Sequence, residues 1–276
     1  MDRVLYLADK IEPGWDADDI HDLRVALRRS RTMAEALREV NPAPEWHKLK
    51  KGSRDLFHAL GDLRDTQVTR FWIKKLGPAG DPVRKHMLHL FTQREKKQRK
   101  LAKSALKDFD HKSWRKWKRK LAQKAEFFPP ESVVFQRLAL ARLHAAFDLY
   151  QQARKKPSSV AWHRLRIGIK QFRYIAENFL RRRYELWAED LKHFQDMLGE
   201  VHDWDVLRAC LRQEASKLDP TRVAQWLGKI EKERKTRLRE FLQKSSAGNS
   251  PWTVWRRGFQ SGHVLVAAPF PERRTA

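Results

Sequence analysis

Two stretches of the chain carry the same pattern of basic residues, and this repeat constrains the fold strongly. Within residues 20–31 the basic side chains follow each other at intervals of three or four residues, which places them on one side of a helix. The four residues are His21, Arg24, Arg28 and Arg31, and their counterparts within residues 162–173 are His163, Arg166, Lys170 and Arg173. Apolar residues fill the neighbouring arc of both helices, so both basic faces are expected at the edge of a core, beside a cleft. A single such helix would be compatible with a solvated basic face; a second copy in the same phase favours a shared function.

The net charge points to a polyanionic partner. The 276 residues include 59 Lys plus Arg against 34 Asp plus Glu, a formal charge of +25. An excess of this size suits nucleic acid, an anionic membrane surface or a phosphate polymer, and it does not choose among them.

Cysteine content and hydropathy exclude several classes of protein. Cys210 is the only cysteine, so an intrachain disulfide and a four-thiolate zinc site are both excluded. The opening residues lack the long apolar core of a signal peptide. The longest apolar run near the end of the chain, residues 264–268, is far shorter than the roughly 20 residues that span a bilayer. We therefore expect a cytoplasmic protein without a membrane partner.

Helical periodicity and sparse glycine predict an all-α fold. Clusters of proline, glycine, asparagine and serine mark the breaks between helices. The predicted helices are 3–10, 17–40, 44–76, 82–106, 112–125, 132–154, 159–182, 185–217, 220–244 and 251–259.

A second internal repeat divides this helical chain into halves. Residues 54–68 align with residues 192–206, which pairs Arg54 with Lys192, and Lys97 lies opposite Arg234 in a looser match. We predict one domain over residues 1–276, with half-repeats of approximately 1–128 and 131–260 and a tail at 261–276. Each half is expected to form an antiparallel four-helix bundle, and the two pseudo-symmetric bundles to pack around a basic central groove.

The spacing of the basic residues suits a linear polyanion. One cation per helical turn gives a charge every ~5 to 6 Å along the axis, and guanidinium groups bind two phosphate oxygens at once. Gly61 and Gly199 would let a ligand or a helix approach closely, although plain helix packing explains them as well. Asp65 and Asp203 are predicted either to orient arginines of the first basic helix or to form structural salt bridges.

Two other functions fit parts of the sequence. The pair His21-Asp22 resembles the metal-binding pair of HD phosphohydrolases, and residues 202–205 include a histidine and two aspartates, which are metal ligands by type. The repeat speaks against a metal-dependent phosphohydrolase, because Arg164 stands at the position equivalent to Asp22. The eleven tryptophans would permit nucleic-acid binding through base stacking, although most stand where core packing is expected. Trp114, Trp117, Trp252 and Trp255 are predicted to dock a short helix on each bundle.

The chain resembles the conserved-histidine α-helical domain family, CHAD. The resemblance lies in the two basic helices and in the motifs Leu60-Gly61-x-x-Arg64-Asp65 and Leu198-Gly199-x-x-His202-Asp203, and it covers almost the whole chain. It implies a protein that binds inorganic polyphosphate in a basic central groove, often on polyphosphate granules. We therefore expect a non-catalytic polyphosphate-binding protein, with nucleic acid as a non-specific second partner because of the charge and the tryptophans. The residues expected to bind polyphosphate are the eight of the two basic helices together with Arg54, Lys97, Lys192 and Arg234. No metal or cofactor is expected.

Overall fold

The chain forms a helical domain, described here by a computed structural model over residues 1–11 and 15–260. Those ranges hold helices and their connections and no β-strand. The helices are α1 (Asp2–Ile11), α2 (Ala17–Val40), α3 (Pro44–Gly52), α4 (Arg54–Leu76), α5 (Pro82–Lys107), α6 (His111–Ala125), α7 (Val133–Lys155), α8 (Ser159–Phe179), α9 (Arg181–Glu214), α10 (Pro220–Ser246) and α11 (Pro251–Gln260). The predicted tail, residues 261–276, lies outside the described residues.

The all-α prediction is confirmed, and most predicted helix ends lie within a few residues of the observed ones. Two breaks differ. The predicted helix 44–76 is interrupted at Ser53, where the backbone turns between α3 and α4. The break predicted between 182 and 185 falls at Leu180, whose backbone leaves the helical region and whose side chain is fully buried. Neither break contains proline: the first coincides with the short pair Gly52-Ser53, and the second has no glycine or proline to mark it.

Buried side chains form two clusters at different levels of the molecule. The larger cluster joins both predicted halves, because Leu27 of α2 and Phe172 of α8 belong to it. The smaller cluster lies where the hairpin of α4 and α5 packs against the hairpin of α9 and α10, and it includes Trp72 and Trp226. The two halves therefore share a core instead of each enclosing its own, and the symmetry between them stays a prediction.

The two basic helices begin at side-chain caps. The Asp16 carboxylate accepts hydrogen bonds from the backbone N–H groups of Asp18 and Asp19, at 3.0 and 2.8 Å, and so starts α2. Ser158 accepts one from the backbone N–H of Ala161 at 3.1 Å and starts α8 in the same way. Each cap fixes the N-terminus of its helix. The two helices, α2 and α8, pack directly against each other, which brings their basic faces together.

Within the described ranges, none of the helices is both long enough and apolar enough to span a lipid bilayer.

Candidate functional site

Two adjoining cavities lie along the contact between α2 and α8. Cavity A, of about 250 Å³, is lined by residues that include Arg28, Arg31 and Tyr174. Cavity B, of about 290 Å³, lies where α4, α5 and α9 complete the wall. Its lining residues are Arg24, Asp62, Asp65, Thr66, Thr69, Phe91, Arg94, His163, Arg166, Lys170, His202, Asp203 and Val206. Lys170 lines both cavities, so its ammonium lies where the two meet.

Cavity B lies between the two hydrophobic clusters. Along α4, the larger cluster ends at Leu63 and the smaller one starts at Trp72. Along α9, the same change takes place between Val201 and Trp204. The intervening segments supply the polar wall of the cavity, so the apolar packing on either side holds this polar surface in place.

Four cations of α2 and α8 face the cavities without carboxylate partners. Arg24 and Arg28 on α2, and Arg166 and Lys170 on α8, form no ion pair with any residue in the described ranges. The Nε atoms of the three arginines are buried and have no hydrogen-bond acceptor there. Buried charged donors normally have a partner, since an unsatisfied one costs roughly 1–3 kcal/mol or more. The arrangement leaves these donors available to an anion.

Three arginines at the site form cation–π contacts with aromatic rings. The Arg28 guanidinium lies 4.6 Å from the centre of the Tyr174 ring, and those of Arg24 and Arg31 lie 5.7 and 4.9 Å from the Phe57 ring. A ring face attracts a cation without neutralising its charge or occupying its N–H donors. The rings therefore hold the guanidiniums in position while leaving them able to bind oxygen atoms.

Burial, together with the neighbouring positive charges, weakens proton binding at the centre of the site. Burial, and then the charges of Arg166, Arg24 and Arg28, lower the pKa of Lys170 from 10.5 to about 7; Asp65 opposes this shift. Burial lowers the pKa of Arg28 as well, and the neighbouring Arg24 adds to the effect. Each shift means that the charged form is disfavoured here until negative charge enters the cavity.

Two histidines contact each other at one side of cavity B. The Nδ1 atoms of His163 and His202 are 3.2 Å apart and the ring centres 4.6 Å apart. Burial and the charge of Arg166 lower the pKa of both imidazoles, that of His202 to about 4. Both rings are therefore neutral at pH 7, and one can donate its Nδ1 proton to the other. From the sequence, His202 is a possible metal ligand by type and a member of the second resemblance motif, but it is not among the residues expected to bind polyphosphate; the structure places it in the wall of the cavity.

Asp65 and Asp203 do not make the contacts predicted for them. Asp203 accepts a hydrogen bond from the indole N–H of Trp72 at 3.2 Å and pairs with no arginine in the described ranges. Burial raises its pKa from 3.8 to about 6, against the opposing effects of that hydrogen bond and of Arg166. Asp65 is exposed at the rim of cavity B and likewise forms no ion pair there. Among the residues that the structure describes, neither aspartate orients an arginine of α2, and neither forms a structural salt bridge.

Three predicted binding residues are held by protein partners. Arg31 lines cavity A, but its guanidinium also donates to the Ser53 hydroxyl at 3.0 Å and to the Lys50 carbonyl, which ties it to the break between α3 and α4. Arg173 donates to the side chains of Gln195 and Tyr184 and lies outside both cavities. Arg234 is buried in an ion pair with Asp205, whose carboxylate also accepts from Ser159 and Arg208.

The remaining predicted residues do not reach the cavities. Arg54 and Lys192 are exposed and pair with acids on their own helices, Asp55 at 3.1 Å and Asp196 at 2.7 Å. Lys97 is exposed on α5 and lines neither cavity. His21 is exposed near the start of α2, and its pKa is lowered by partial burial and by the charges of Arg64 and Arg28. It stands beside the site without lining either cavity.

Several residues in the wall of cavity B were missed. On α5, Arg94 lines the cavity and Lys97 does not. Arg94 lies three residues before Lys97 on the same face of the helix, so its position in the sequence could have identified it as a lining residue. Thr66 and Thr69 contribute from α4, although their hydroxyls donate to backbone carbonyls of the preceding turn. Their small side chains follow no basic pattern, so nothing in the sequence distinguished them.

The structure gives little support to a metal site or to a nucleic-acid site based on tryptophan stacking. No group of three or more His, Cys, Asp or Glu side chains in residues 1–11 and 15–260 is arranged to hold a metal ion. Ten of the eleven tryptophans are buried, so their rings are not available for stacking on bases. Trp114 on α6, and Trp252 and Trp255 on α11, are buried in the larger cluster, and Trp117 on α6 is partly buried against it, in agreement with their predicted docking of short helices.

Comparisons with known proteins agree with this fold. The family model described as the CHAD domain matches residues 1–212. A crystal structure of the CHAD domain from the plant Ricinus communis is similar, with a TM-score of 0.57 and 20% sequence identity. The similarity covers 94% of this chain and 87% of that chain. No curated protein matches the sequence significantly. Because the family model spans most of the chain, the protein belongs to the CHAD-domain family.

Proposed function

We propose that this protein binds inorganic polyphosphate, without catalysis, in a groove formed by cavities A and B between α2 and α8. The observation that carries the proposal is the set of four cations, Arg24, Arg28, Arg166 and Lys170, that converge without carboxylate partners in the described ranges. An anion that entered the groove would satisfy the orphaned guanidinium donors and relieve the repulsion that disfavours the charge on Lys170.

Two cavities that share a lining residue favour a chain of phosphates over a single compact nucleotide. Arg28 lines cavity A, Arg94 lines cavity B, and Lys170 lines both. A polymer with one negative charge per phosphate can contact cations in both cavities at once, whereas a single phosphate contacts only one or two. Binding is therefore expected to increase with chain length, because the sites act together on one ligand.

The direct test removes the four groove cations. A variant with Arg24→Ala, Arg28→Ala, Arg166→Ala and Lys170→Ala should remain folded and lose about 100-fold or more in affinity for fluorescently labelled polyphosphate at physiological salt, measured by anisotropy. The matched control removes four exposed cations of α6, with Lys112→Ala, Arg115→Ala, Lys116→Ala and Arg119→Ala. Each variant loses four basic side chains, so the formal charge falls by the same amount, and equal losses of affinity would reject the groove as the site.

Nucleic acid is the competing partner. The overall charge of +25 would attract any polyanion, but the burial of the tryptophans argues against base stacking. Long-chain polyphosphate should displace single-stranded DNA or tRNA at equal phosphate concentration, and should itself resist displacement. If tRNA displaces polyphosphate instead, the protein is better described as a nucleic-acid binder.

An enzymatic role is tested by turnover. We expect no release of phosphate from polyphosphate when concentrated protein is incubated with Mg²⁺ or Mn²⁺. Release that disappears in His21→Ala would support the phosphohydrolase and contradict the non-catalytic proposal. In cells, a fluorescent fusion of the full chain is expected to colocalise with polyphosphate granules, and the four-alanine groove variant to lose that localisation.

A further inference from the structure

Lys170 occupies a position that suits a nucleophile as well as a phosphate ligand. Its side chain lines both cavities and forms no ion pair with any of the described residues. Positive charge faces it from two helices, Arg24 and Arg28 on α2 and Arg166 on its own helix α8, while Asp65 on α4 supplies the opposing charge. The amine is thus reachable through a cavity whose wall is built to attract phosphate.

The same surroundings make this amine unusually reactive. An amine attacks an electrophile through its neutral form, and burial with neighbouring cations lowers the pKa of Lys170 to about 7. At pH 7.5 about three quarters of such an amine is neutral, against about 0.1% for a lysine of ordinary pKa. The lower basicity reduces the reactivity of each neutral amine, so we expect a net advantage of roughly 10-fold or more over an exposed lysine.

We propose that Lys170 is an acylation site whose acyl donor is an acyl phosphate, held by its phosphate end against the arginines of the groove. The neutral Nζ attacks the carbonyl carbon, and a C–N bond forms as the bond between that carbon and the phosphate oxygen breaks. The phosphate leaves with the electron pair and takes the proton released by the amine, which gives an amide and hydrogen phosphate. Arginine guanidiniums hold the leaving group and stabilise the charge that develops on it.

Acylation would change the ligand affinity of the same groove. The amide carries no charge, so the modified protein lacks the cation at the junction of the two cavities. This consequence rests on the proposed polyphosphate binding: acylated protein should bind polyphosphate more weakly, and bound polyphosphate should protect Lys170. The acylation itself can be measured without polyphosphate.

The test compares two acetylating reagents on the purified full chain. The protein is treated at pH 7.5 with acetyl phosphate or with the uncharged ester N-hydroxysuccinimidyl acetate, and acetylation is quantified at each lysine by peptide mass spectrometry. Lys116, exposed on α6, serves as the internal reference. We expect Lys170 to react roughly 10-fold faster than Lys116 with the uncharged ester, because of its larger neutral fraction, and its preference over Lys116 to be several-fold larger still with acetyl phosphate. A Lys170 rate no higher than that of Lys116, or equal preferences with both reagents, would overturn the proposal.

A variant isolates the phosphate contact. Arg166→Gln should lower the acetyl phosphate rate at Lys170 several-fold more than the ester rate, whereas Arg115→Gln on α6 should change neither. Equal reduction of both rates by Arg166→Gln would contradict phosphate-directed delivery. The comparison of reagents on the unmodified chain needs no variant and stands if Arg166→Gln folds poorly. Anisotropy with polyphosphate is measured separately, so failure of polyphosphate binding and failure of acylation are distinguishable.

Discussion

Replacing Lys170 with methionine should stabilise the protein in the absence of an anion. Methionine keeps the length of the side chain and most of its apolar contacts while removing the charge. The fall in the pKa of Lys170 from 10.5 to about 7 corresponds to about 5 kcal/mol of unfavourable interaction for its charged form. That penalty is what Lys170→Met removes from the folded state, and for a chain of 276 residues it corresponds to a rise in Tm of roughly 10 °C.

The gain should depend on pH with a definite sign. The folded-state pKa of Lys170 lies below the unfolded value, so between pH 7 and 10.5 the unfolded chain binds more protons and the original protein becomes more stable as pH rises. The full penalty of about 5 kcal/mol applies at pH 6, and about 2 kcal/mol remains at pH 9. The advantage of Lys170→Met should therefore shrink by roughly half or more between these two pH values.

Urea unfolding in chloride buffer at pH 6 and pH 9, with and without polyphosphate, tests this prediction. Polyphosphate should stabilise the original protein more than Lys170→Met, since at a given concentration a ligand that binds the fold more tightly stabilises it more. Lys116→Met on α6 is the control and should change stability little at either pH. A variant that is less stable than the original protein at pH 6, or whose gain is equal at both pH values, would refute the electrostatic reasoning.

Three further predictions follow from neighbouring contacts. Asp203→Asn keeps an oxygen that can accept the hydrogen bond of the Trp72 indole. Because burial raises the pKa of Asp203 to about 6, its carboxylate is costly to bury at pH 8, and the variant should be more stable there by up to about 3 kcal/mol in urea unfolding. At pH 4 the carboxyl group is already neutral in the folded protein, so the variant should differ little in stability. The same variant should bind polyphosphate more tightly in anisotropy titrations at pH 8, since a negative charge leaves cavity B. Arg234→Met removes one of the two arginines that pair with Asp205 and leaves Arg208 in place, so it should cost about 1–3 kcal/mol in urea unfolding, with polyphosphate affinity changed by no more than about twofold; a large loss of affinity in a folded variant would return Arg234 to the binding surface. For Arg24→Ala, the plot of log affinity against log salt concentration should become shallower by roughly one unit, and an unchanged slope would show that Arg24 contacts no phosphate.

The residues at the centre of the groove could be predicted from helical periodicity. Arg24 and Arg28 lie one turn apart on α2, Arg166 and Lys170 one turn apart on α8, and the apolar arcs beside them turn both pairs toward the shared core. Periodicity identifies which face of a helix is directed toward the core. It does not show which part of that face is covered by a neighbouring helix. His21, at the beginning of its helix, consequently remains exposed beside the site.

The pairing of Arg234 and the helix break at Ser53 depend on contacts between distant parts of the chain, which the sequence alone does not show. Arg234 pairs with Asp205, 29 positions away, and no local pattern distinguishes such an arginine from a ligand-binding one. The helix break at Ser53 follows Gly52, where an added Cβ would lie 2.5 Å from the ring of Trp117. That approach requires glycine because of tertiary packing, and the sequence alone does not reveal which distant ring will be there.

A crystal structure of the full chain with short-chain polyphosphate would show where the ligand binds. We expect electron density for consecutive phosphates between α2 and α8, with oxygens within hydrogen-bonding distance of Arg24, Arg28, Arg166 and Lys170. Phosphates bound along the exposed lysines of α5 or α6, with the groove between α2 and α8 free of phosphate, would contradict it.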